Sequence, residues 1–558
     1  MVRLKFGPYA YFGSYMKGSD KDYDYIIIGS GFGGSVSAMR LAEKGYKVLV
    51  IEKGKRWEDK DFPKSNWNLK KYVWLPVLRC FGFLRLSFFN EVFILSGVGV
   101  GGGSLVYANT HMMPKDSFYQ NEIWSHFKNW KEVLAPFYAK ARFMLGSTKY
   151  EKENAEDLAL KEVAEEMGAA HTYGKVDYVG VYLGDTKEER DPYFKGLGPK
   201  RKGCIECAGC MVGCRYNAKN TLNKNYLWLA ENLFAAEVLA ETRCTKIEHH
   251  ADGTYTVHTE SSTNFLRKTK KSFRTKGLVV SAGVLGTLEL LLKQKLVYKT
   301  LTKLSDRLGD NLLTNSEMLS GVVAADRKLN HGLAISSVFN PDANTHIELC
   351  KFPDKSGAML RLAVMAADEG NAFVRILKML GNIVLHPWDF MRAVFQKNIA
   401  RNSVIFLIMQ SLQNAMRMTL KRGIFGYRLT FINNTGSKVP SYIPLGQQAL
   451  HKYAAKVNGV PQNAFSEVMF GLASTAHILG GCPMGSDSNS GLVNDKFEVH
   501  AYPNFYVLDG SVVPCNLGVN PSLTITALSE YAMSYIPEKE GNERKSLEVL
   551  MQEAESIK

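Results

Sequence analysis

The spacing of apolar and polar positions near the start of the chain predicts a β–α–β unit. Residues 23–28 (YDYIII) are β-branched and aromatic, which is typical of a short strand buried on both faces. Apolar side chains then recur at Val36, Met39, Leu41 and Ala42, the spacing of one face of a helix. A further apolar run at residues 47–51 (KVLVI) predicts a second strand. The pattern indicates an α/β fold at this end of the chain.

The turn between the first strand and the helix has the glycine spacing of a dinucleotide-binding site. Residues 29–34 read GSGFGG, which is G-x-G-x-x-G. We expect Gly29 to allow the tight turn, Gly31 to admit a pyrophosphate, and Gly34 to let helix and strand pack closely. Phe32 and Gly33 begin the helix, whose N-terminus would face the phosphates.

An acidic residue completes this pattern. Glu52 ends the second strand, where it would accept hydrogen bonds from ribose hydroxyls. Glycine-rich turns also occur for purely structural reasons, but the series of strand, glycines, helix, strand and acid favours a dinucleotide. The pattern does not distinguish NAD from FAD.

A second glycine-rich segment and five later motifs narrow the family. Residues 97–114 read GVGVGGGSLVYANTHMMP, and bare backbone in such a run can approach a cofactor where side chains would clash. A flexible linker is the alternative, although Leu105, Val106 and Tyr107 are poor linker residues. The later motifs are EVL at 237–239, LVVSAGVLGTLELLL at 278–292, HILGGC at 477–482, and NFYVLDGS with VNPSLT at 504–511 and 519–524.

With these motifs the chain resembles the glucose–methanol–choline (GMC) family of FAD-dependent oxidoreductases, and within it the cholesterol-oxidase branch. The resemblance implies an α/β fold, in which an FAD-binding Rossmann-like domain is interleaved with an α+β substrate-binding domain containing an antiparallel sheet. The FAD-binding domain would comprise residues 20–115, 200–316 and 471–540. The substrate-binding domain would comprise residues 116–199 and 317–470, followed by a C-terminal tail at 541–558.

The resemblance also implies the site residues. His477 and Asn520 would be catalytic. The FAD contacts that it adds to the glycine turn and Glu52 are Gly103, Tyr107, Ala108, Thr110, Val238, Ala282, Gly283, Asp509, Gly510, Pro521 and Ser522. No histidine stands where covalently flavinylated relatives have one, because His111 lies too far along the chain. We therefore expect non-covalent FAD.

Alcohol oxidation by a flavin requires loss of a hydroxyl proton and transfer of a hydride. A histidine has a suitable pKa for accepting that proton near neutral pH, so His477 is the candidate base. Asn520 can hydrogen-bond the substrate oxygen and the flavin edge but cannot act as a base. Sterol oxidases that also isomerise a double bond need a further carboxylate. Glu348, Asp368 and Glu369 are candidates, and no motif selects among them.

A dense cysteine run indicates a metal site. Cys204, Cys207, Cys210 and Cys214 have the spacing C-x2-C-x2-C-x3-C of bacterial ferredoxins, on a loop close to the flavin domain. An iron–sulfur cluster, [4Fe–4S] or [3Fe–4S], is the first interpretation, and it would release electrons singly. Structural zinc is the second interpretation, and unligated thiols are the third.

The chain carries a formal net charge of +15, which suits an acidic partner. No nucleic-acid-binding motif accompanies this charge, so an anionic membrane surface is favoured over nucleic acid. Apolar, arginine-punctuated segments at 71–95 and 373–395, continued at 403–416, would face such a membrane, although buried core segments look similar. Residues 1–20 lack the features of a secretory signal. The expected location is cytoplasmic, peripheral on the inner membrane face.

Three functions remain open at this point. The first is an FAD-dependent alcohol oxidase or dehydrogenase acting on a sterol-like or bulky hydrophobic alcohol, with an acceptor protein or quinone as its electron partner. The second is the same fold acting on a long-chain fatty alcohol or other lipid alcohol. The third is a non-catalytic membrane redox protein, which would not need His477 and Asn520.

Overall fold

The computed structural model describes residues 22–264, 268–424, 426–432 and 439–556. The strands are β1 (Asp22–Ile28), β2 (Val48–Ile51), β3 (Trp74–Leu75), β4 (Cys80–Phe81), β5 (Leu84–Phe88), β6 (Val92–Gly97), β7 (Gly174–Lys175), β8 (Glu237–Leu239), β9 (Thr242–His249), β10 (Tyr255–Ser261), β11 (Lys270–Val280), β12 (Leu312–Leu313), β13 (Met318–Ala324), β14 (Ile335–Phe339), β15 (Thr345–Cys350), β16 (Ala363–Met365), β17 (Ser403–Gln410), β18 (Arg417–Gly423), β19 (Gly426–Ile432), β20 (Gly459–Ala464), β21 (Ala473–Thr475), β22 (Leu479–Gly480) and β23 (Phe505–Val507). The α-helices are α1 (Phe32–Glu43), α2 (Leu69–Tyr72), α3 (Asp116–Tyr119), α4 (Trp130–Met144), α5 (Ala155–Glu166), α6 (Tyr226–Asn232), α7 (Val284–Leu292), α8 (Ala372–Leu385), α9 (Pro387–Phe395), α10 (Pro444–Lys456), α11 (Phe465–Phe470), α12 (Ser522–Ser534) and α13 (Leu547–Ser556).

The predicted β–α–β unit lies at the centre of a parallel sheet. β1 pairs in parallel with β2 on one side and with β11 on the other, and β8 extends the sheet beyond β2. The far edge of β11 is shared between the antiparallel strand β10 and the parallel strand β23. The parallel strands thus follow the order β8-β2-β1-β11-β23, which is typical of a Rossmann-like dinucleotide fold.

A second sheet is antiparallel and has the order β16-β20-β13-β17-β15-β14-β7. Its strands come from residues 174–175 and 318–464, whereas those of the first sheet come from 22–51, 237–280 and 505–507. The predicted fold class, a Rossmann-like domain interleaved with an antiparallel-sheet domain, is confirmed. The proposed domain boundaries themselves remain a prediction.

Helix α12 brings two distant motifs together. It packs against α1 and α4, and Arg40 Nε on α1 donates a 2.8 Å hydrogen bond to Glu530 Oε2 on α12. Ser522 at the N-terminus of α12 lines the same cavity as Gly31 of the glycine turn that precedes α1. Along the chain, His477 lies between the short strands β21 and β22. β21 pairs with β6, and β22 pairs with β12. The active-site motifs are therefore held by elements far apart in sequence.

The three apolar segments have different environments. Residues 403–416 include β17, which lies between β13 and β15 in the centre of the antiparallel sheet. β17 is core, so the predicted membrane-facing role is wrong for residues 403–410, because both edges and most side chains of the strand are covered. Beyond the strand, Leu412 is 44% exposed. α8 and α9 are largely exposed, and residues 71–95 are mixed. Among the described residues, no helix is long and apolar enough to cross a membrane. The prediction for residues 1–20 lies outside the described residues.

Candidate active site

The three glycines of the G-x-G-x-x-G turn, Gly29, Gly31 and Gly34, have different surroundings. A Cβ at Gly29, whose φ is +100°, would lie 2.1 Å from the Ser281 carbonyl oxygen. A Cβ at Gly34 would lie 2.0 Å from the Gly29 carbonyl oxygen. By contrast, nothing lies within 4 Å of the Cβ position of Gly31. The outer glycines thus allow backbone to pack on backbone, and Gly31 faces open space, as a cofactor-binding turn requires.

One end of the cofactor cleft lies above the carboxyl ends of β1 and β2. This cavity of about 210 Å³ is lined by Gly29, Gly31, Glu52, Gly103, Ala282 and Gly283, and also by Thr242, Arg243 and Cys244, which sequence analysis missed. The Glu52 carboxylate accepts hydrogen bonds from the backbone N–H groups of Ser30 (3.1 Å) and Gly54 (2.8 Å). These bonds fix its orientation at the wall of the cleft.

The other end of the cleft has a volume of about 300 Å³ and brings most predicted site residues together. Its lining includes Gly31, Phe32, Gly33, Gly103, Tyr107, Ala108, Thr110, Gly283, His477, Asp509, Gly510, Asn520, Pro521 and Ser522. Since Gly31, Gly103 and Gly283 line both ends, the two cavities form one elongated cleft.

The cleft fits a bound FAD. Gly31 and Gly283 both present positions where a Cβ would meet nothing within 4 Å, so their backbone is open to a ligand. Gly34 and Val238 do not line the cleft. Gly34 acts in helix packing, and Val238 pairs with Val50 inside the sheet. The individual FAD contacts assigned from the sequence remain predictions.

His477 and Asn520 face each other at the catalytic end of the cleft. Asn520 Nδ2 lies 3.4 Å from His477 Nε2, and both residues line the cavity. The other ring nitrogen, Nδ1, lies 2.5 Å from Oε1 of Glu317. Because an ionised carboxylate only accepts hydrogen bonds, Nδ1 carries the proton and donates. In the neutral ring, Nε2 is then the acceptor that faces Asn520 and the cavity.

Glu317 sets the basicity of this histidine. Burial by itself lowers the pKa of His477, but the adjacent Glu317 carboxylate outweighs burial, and the pKa stands above its ordinary value. Glu317 is fully buried and also accepts a 2.7 Å hydrogen bond from the Ala476 backbone N–H. Sequence analysis missed Glu317, because the residue lies at the start of the weakly patterned substrate region and no motif marks it.

Of the three carboxylates considered from the sequence, Glu348 is the one that lies beside the His477–Asn520 pair. Glu348 is fully buried, accepts a 3.3 Å hydrogen bond from Asn520 Nδ2, and lies 3.1 Å from His346 Nε2. Asp368 and Glu369 are exposed. Asn520 Oδ1 is buried and has no hydrogen-bond partner within the described residues. An acceptor left open at this position can accept a hydrogen bond from a donor on a bound ligand.

An apolar cavity of about 180 Å³ adjoins the catalytic end. The residues that line both are Leu95, Met211, Cys350, Phe352, Met359, Leu407 and Ala476, which makes the two spaces continuous. Further walls come from the central strands of the antiparallel sheet, including Val323 on β13 and Ile405 on β17. A hydrophobic molecule could therefore lie in this space with one polar end at His477.

The four cysteines of the ferredoxin-like run do not gather around a single point. Cys204, Cys207, Cys210 and Cys214 line a separate cavity of about 390 Å³. Within the described ranges, no three or more His, Cys, Asp or Glu side chains form a group that could hold a metal ion. Burial, with a contribution from Cys210, raises the pKa of the Cys207 thiol to about 11. The described residues thus show no metal site, and neither a zinc site nor an iron–sulfur site is supported by the grouping of the side chains.

This cysteine cavity is nonetheless close to the end of the cleft that His477 and Asn520 line. Asn109 lies between two cleft-lining residues, Ala108 and Thr110, and its Nδ2 atom donates a 2.9 Å hydrogen bond to Cys210 Sγ. Cys210 lines the cysteine cavity, and the next residue, Met211, lines the cleft. One layer of side chains separates the two spaces.

The amino-acid sequence of this chain is similar to those of several known proteins. The sequence profile of the GMC oxidoreductases matches residues 197–314 and 409–529, and that of an NAD(P)-binding Rossmann-like domain matches residues 27–57. The chain is 41% identical to a cholesterol oxidase of Acinetobacter baumannii over 93% of this chain and 95% of that protein. It is likewise 41% identical to a cholesterol oxidase of Mycobacterium tuberculosis (strain ATCC 25618 / H37Rv), covering 94% of this chain and 93% of the relative.

More distant relatives share the fold. A long-chain-alcohol oxidase of Arabidopsis thaliana is 23% identical over 94% of this chain and 68% of its own length. Among solved structures, pyridoxine 4-oxidase from Mesorbium loti superposes with a TM-score of 0.58 and 14% identity, covering 92% of this chain and 99% of that one.

Proposed function

Because the chain belongs to the GMC oxidoreductase family of alcohol-oxidising flavoenzymes, we propose that it oxidises the hydroxyl group of a sterol-like or similarly bulky hydrophobic alcohol, by hydride transfer to bound FAD. One observation carries the proposal: the His477–Asn520 pair lies where the cofactor cleft meets an apolar cavity. A substrate that fills the cavity would present its hydroxyl to both residues.

Each side chain of the site has a distinct role in this proposal. His477 Nε2 accepts the hydroxyl proton, while Glu317 holds the ring through Nδ1 and stabilises the imidazolium that forms. Asn520 orients the substrate oxygen through its amide, and Glu348 fixes that amide from behind. FAD, when bound along the glycine-lined cleft, supplies the hydride acceptor. The cavity walls exclude water from the reacting carbon.

A long-chain fatty alcohol is the second candidate substrate. The almost entirely apolar cavity wall would also suit an alkyl chain, and one relative is a long-chain-alcohol oxidase. The higher identity to cholesterol oxidases supports the sterol-like substrate.

Anaerobic mixing distinguishes these substrates. Purified protein with bound FAD would be mixed with a sterol, a long-chain primary alcohol and a small polar alcohol, each dispersed in the same detergent, while the flavin absorbance is followed. We expect the sterol to bleach the flavin fastest. Faster bleaching by the long-chain alcohol would favour the second candidate, and bleaching by the small alcohol alone would refute both.

We further propose that the cysteine cavity holds an iron–sulfur cluster serving an external electron acceptor, a protein or quinone. The supporting observation is that all four cysteines of the run line a single cavity of about 390 Å³. The irons of a cluster sit apart, so its thiolate ligands line a space and need not converge as they would on zinc. Cys204, Cys207, Cys210 and Cys214 would be the ligands, and a bound cluster would supply one-electron steps.

A further inference from the structure

Helix α8 exposes the side that a surface helix normally buries. Phe373, Leu377, Leu380 and Val384 are spaced four, three and four residues apart, which puts them on one stripe, and they are 69%, 53%, 48% and 78% exposed. The opposite side is attached to the protein through a cation. Arg375 is fully buried and donates to the carbonyl oxygens of Ser441, Glu467 and Ala367.

The exposed apolar stripe continues onto α9. Trp388, Met391 and Phe395 are exposed, as are Leu385 at the end of α8 and Val394 on α9. Contiguous exposed apolar surface of this kind marks an interaction site in soluble proteins. Its helices are too short and too well anchored to cross a bilayer, but they can lie in its interface.

A second exposed apolar segment comes from a distant part of the sequence. Trp67, Leu69, Val77 and Leu78 are exposed on the stretch that contains α2 and the turn after β3. Within residues 71–95 the rest is divided, since Tyr72 and Phe83 are buried core. The exposed apolar side chains of this segment are therefore held by buried neighbours within the same segment.

Both exposed segments are attached to the same loop, residues 355–362, which forms a wall of the apolar cavity. Arg361 Nη1 and Nη2 donate to the carbonyl oxygens of Ala393 (3.1 Å) and Gln396 (2.7 Å) at the end of α9. The Ala358 backbone N–H donates to Asn66 Oδ1 (3.0 Å), next to Trp67. Leu362 lines the cavity and is 36% exposed, so the cavity wall reaches the surface between the two segments.

The exposed apolar residues of α8, α9 and residues 67–79 are bordered by positively charged side chains. The exposed cations Lys70, Lys71, Arg79, Lys378, Arg392 and Lys397 flank the two apolar segments. Asp389 is the acid on the exposed helices, and it is paired with Arg392 at 3.5 Å. Apolar side chains bordered by cations match a bilayer that contains anionic lipid.

We propose that α8, α9 and residues 67–79 form a lipid-docking face, which seats the 355–362 wall of the substrate cavity on an anionic bilayer. This inference rests on the proposed function in one respect: a hydrophobic alcohol would pass from the bilayer into the cavity without crossing water. The expected cytoplasmic location, peripheral on the inner membrane face, belongs to the same proposal.

Vesicle flotation of the FAD-bound protein tests the docking face. The test variant combines Leu377→Gln, Val384→Gln and Trp388→Gln. The control combines Leu158→Gln, Leu296→Gln and Val549→Gln, apolar residues elsewhere that are 46%, 46% and 40% exposed. We expect wild type and control to float with vesicles of phosphatidylcholine and phosphatidylglycerol, less so at high salt or without phosphatidylglycerol. The test variant should bind at least about tenfold more weakly, because three inserted apolar groups are lost.

Several results would overturn the proposal. The first is that wild type does not float, and the second is that the test variant floats as well as the control. The third is that wild type and control are dimers in solution whereas the test variant is a monomer. Flavin reduction by a detergent-dispersed alcohol should be equal in all three proteins, since none of the changed residues lies in the site. If flotation behaves as expected but no hydrophobic alcohol reduces the flavin, the docking face stands and the proposed function fails.

Discussion

Glu317 Oε1 lies 2.5 Å from Nδ1 of His477, so a fully buried carboxylate on the residue before β13 holds the histidine ring that lines the cofactor cleft. The pairing has two consequences. It leaves Nε2 as the nitrogen that accepts a proton, and it raises the pKa of His477 through the adjacent negative charge even though burial acts in the opposite direction.

Glu317→Gln tests this positioning role through the pH profile of flavin reduction. The rate in wild type should rise with pH as His477 loses its proton, because only the neutral ring accepts the hydroxyl proton. Removing the charge lowers the pKa of His477, so the rising limb should move to lower pH, with a lower plateau from a weaker base. Stopped-flow reduction across pH measures both effects. Asp368→Asn, an exposed carboxylate, is the control, and an unmoved limb in Glu317→Gln would refute the role.

His477→Ala should retain FAD and fold while slowing flavin reduction by roughly two to four orders of magnitude, the range for loss of a general base. Asn520→Ala should be less severe, because it removes a hydrogen bond and no proton acceptor. Stopped-flow measurement on protein of matched FAD content separates catalysis from binding. Wild-type reduction rates in His477→Ala would remove this residue from the mechanism.

The purified protein should be yellow and should release its FAD on acid or heat denaturation. The only histidine near the glycine-rich segment, His111, is buried with Nδ1 2.8 Å from Ser147 Oγ, and it does not line the cleft within the described residues. Absorbance of the supernatant after precipitation measures the release. Flavin that stays with the pellet would contradict a non-covalent cofactor.

Glu467 should make stability depend on pH. Burial raises the pKa of Glu467 to about 8 from its ordinary value of 4.5, despite a hydrogen bond from the Leu319 backbone N–H. The folded state then keeps a proton that the unfolded chain loses, so the contribution of Glu467 to stability is greatest below about pH 4.5 and declines as pH rises towards 8. Glu467→Gln, neutral at every pH, should flatten this decline in a series of Tm values. Glu165→Gln, exposed on α5, should leave it unchanged, and a wild-type slope in Glu467→Gln would disprove the assignment.

Metal analysis decides the cysteine proposal. Protein prepared anaerobically should contain iron with matching acid-labile sulfide, and Cys207→Ser should lose iron. Zinc alone, or neither metal, would end the cluster proposal. If Cys207→Ser loses iron yet passes electrons to an artificial acceptor as fast as wild type, the cluster is structural and serves no relay.

Much of the cofactor half of this protein followed from local sequence. The run at 23–28, the glycine turn and the helix after it were predicted and found as β1 and α1. Such elements are readable because a buried parallel strand needs continuous apolar residues and a tight turn beside a helix needs glycine, both of which are local requirements. The motifs around His477 and Asn520 were likewise evident along the chain.

Other features were decided only by tertiary structure. Glu317 meets His477 across 160 positions of sequence, and Glu348 is distinguished from Asp368 and Glu369 only by its burial beside Asn520. The apolar segments looked alike in sequence, yet β17 is covered by neighbouring strands while α8 presents its apolar stripe to solvent. Periodicity reports which side of an element is apolar. Which surface covers that side, and which charge lies next to which ring, depends on contacts between residues far apart in the chain, and only the packed structure brings those residues together.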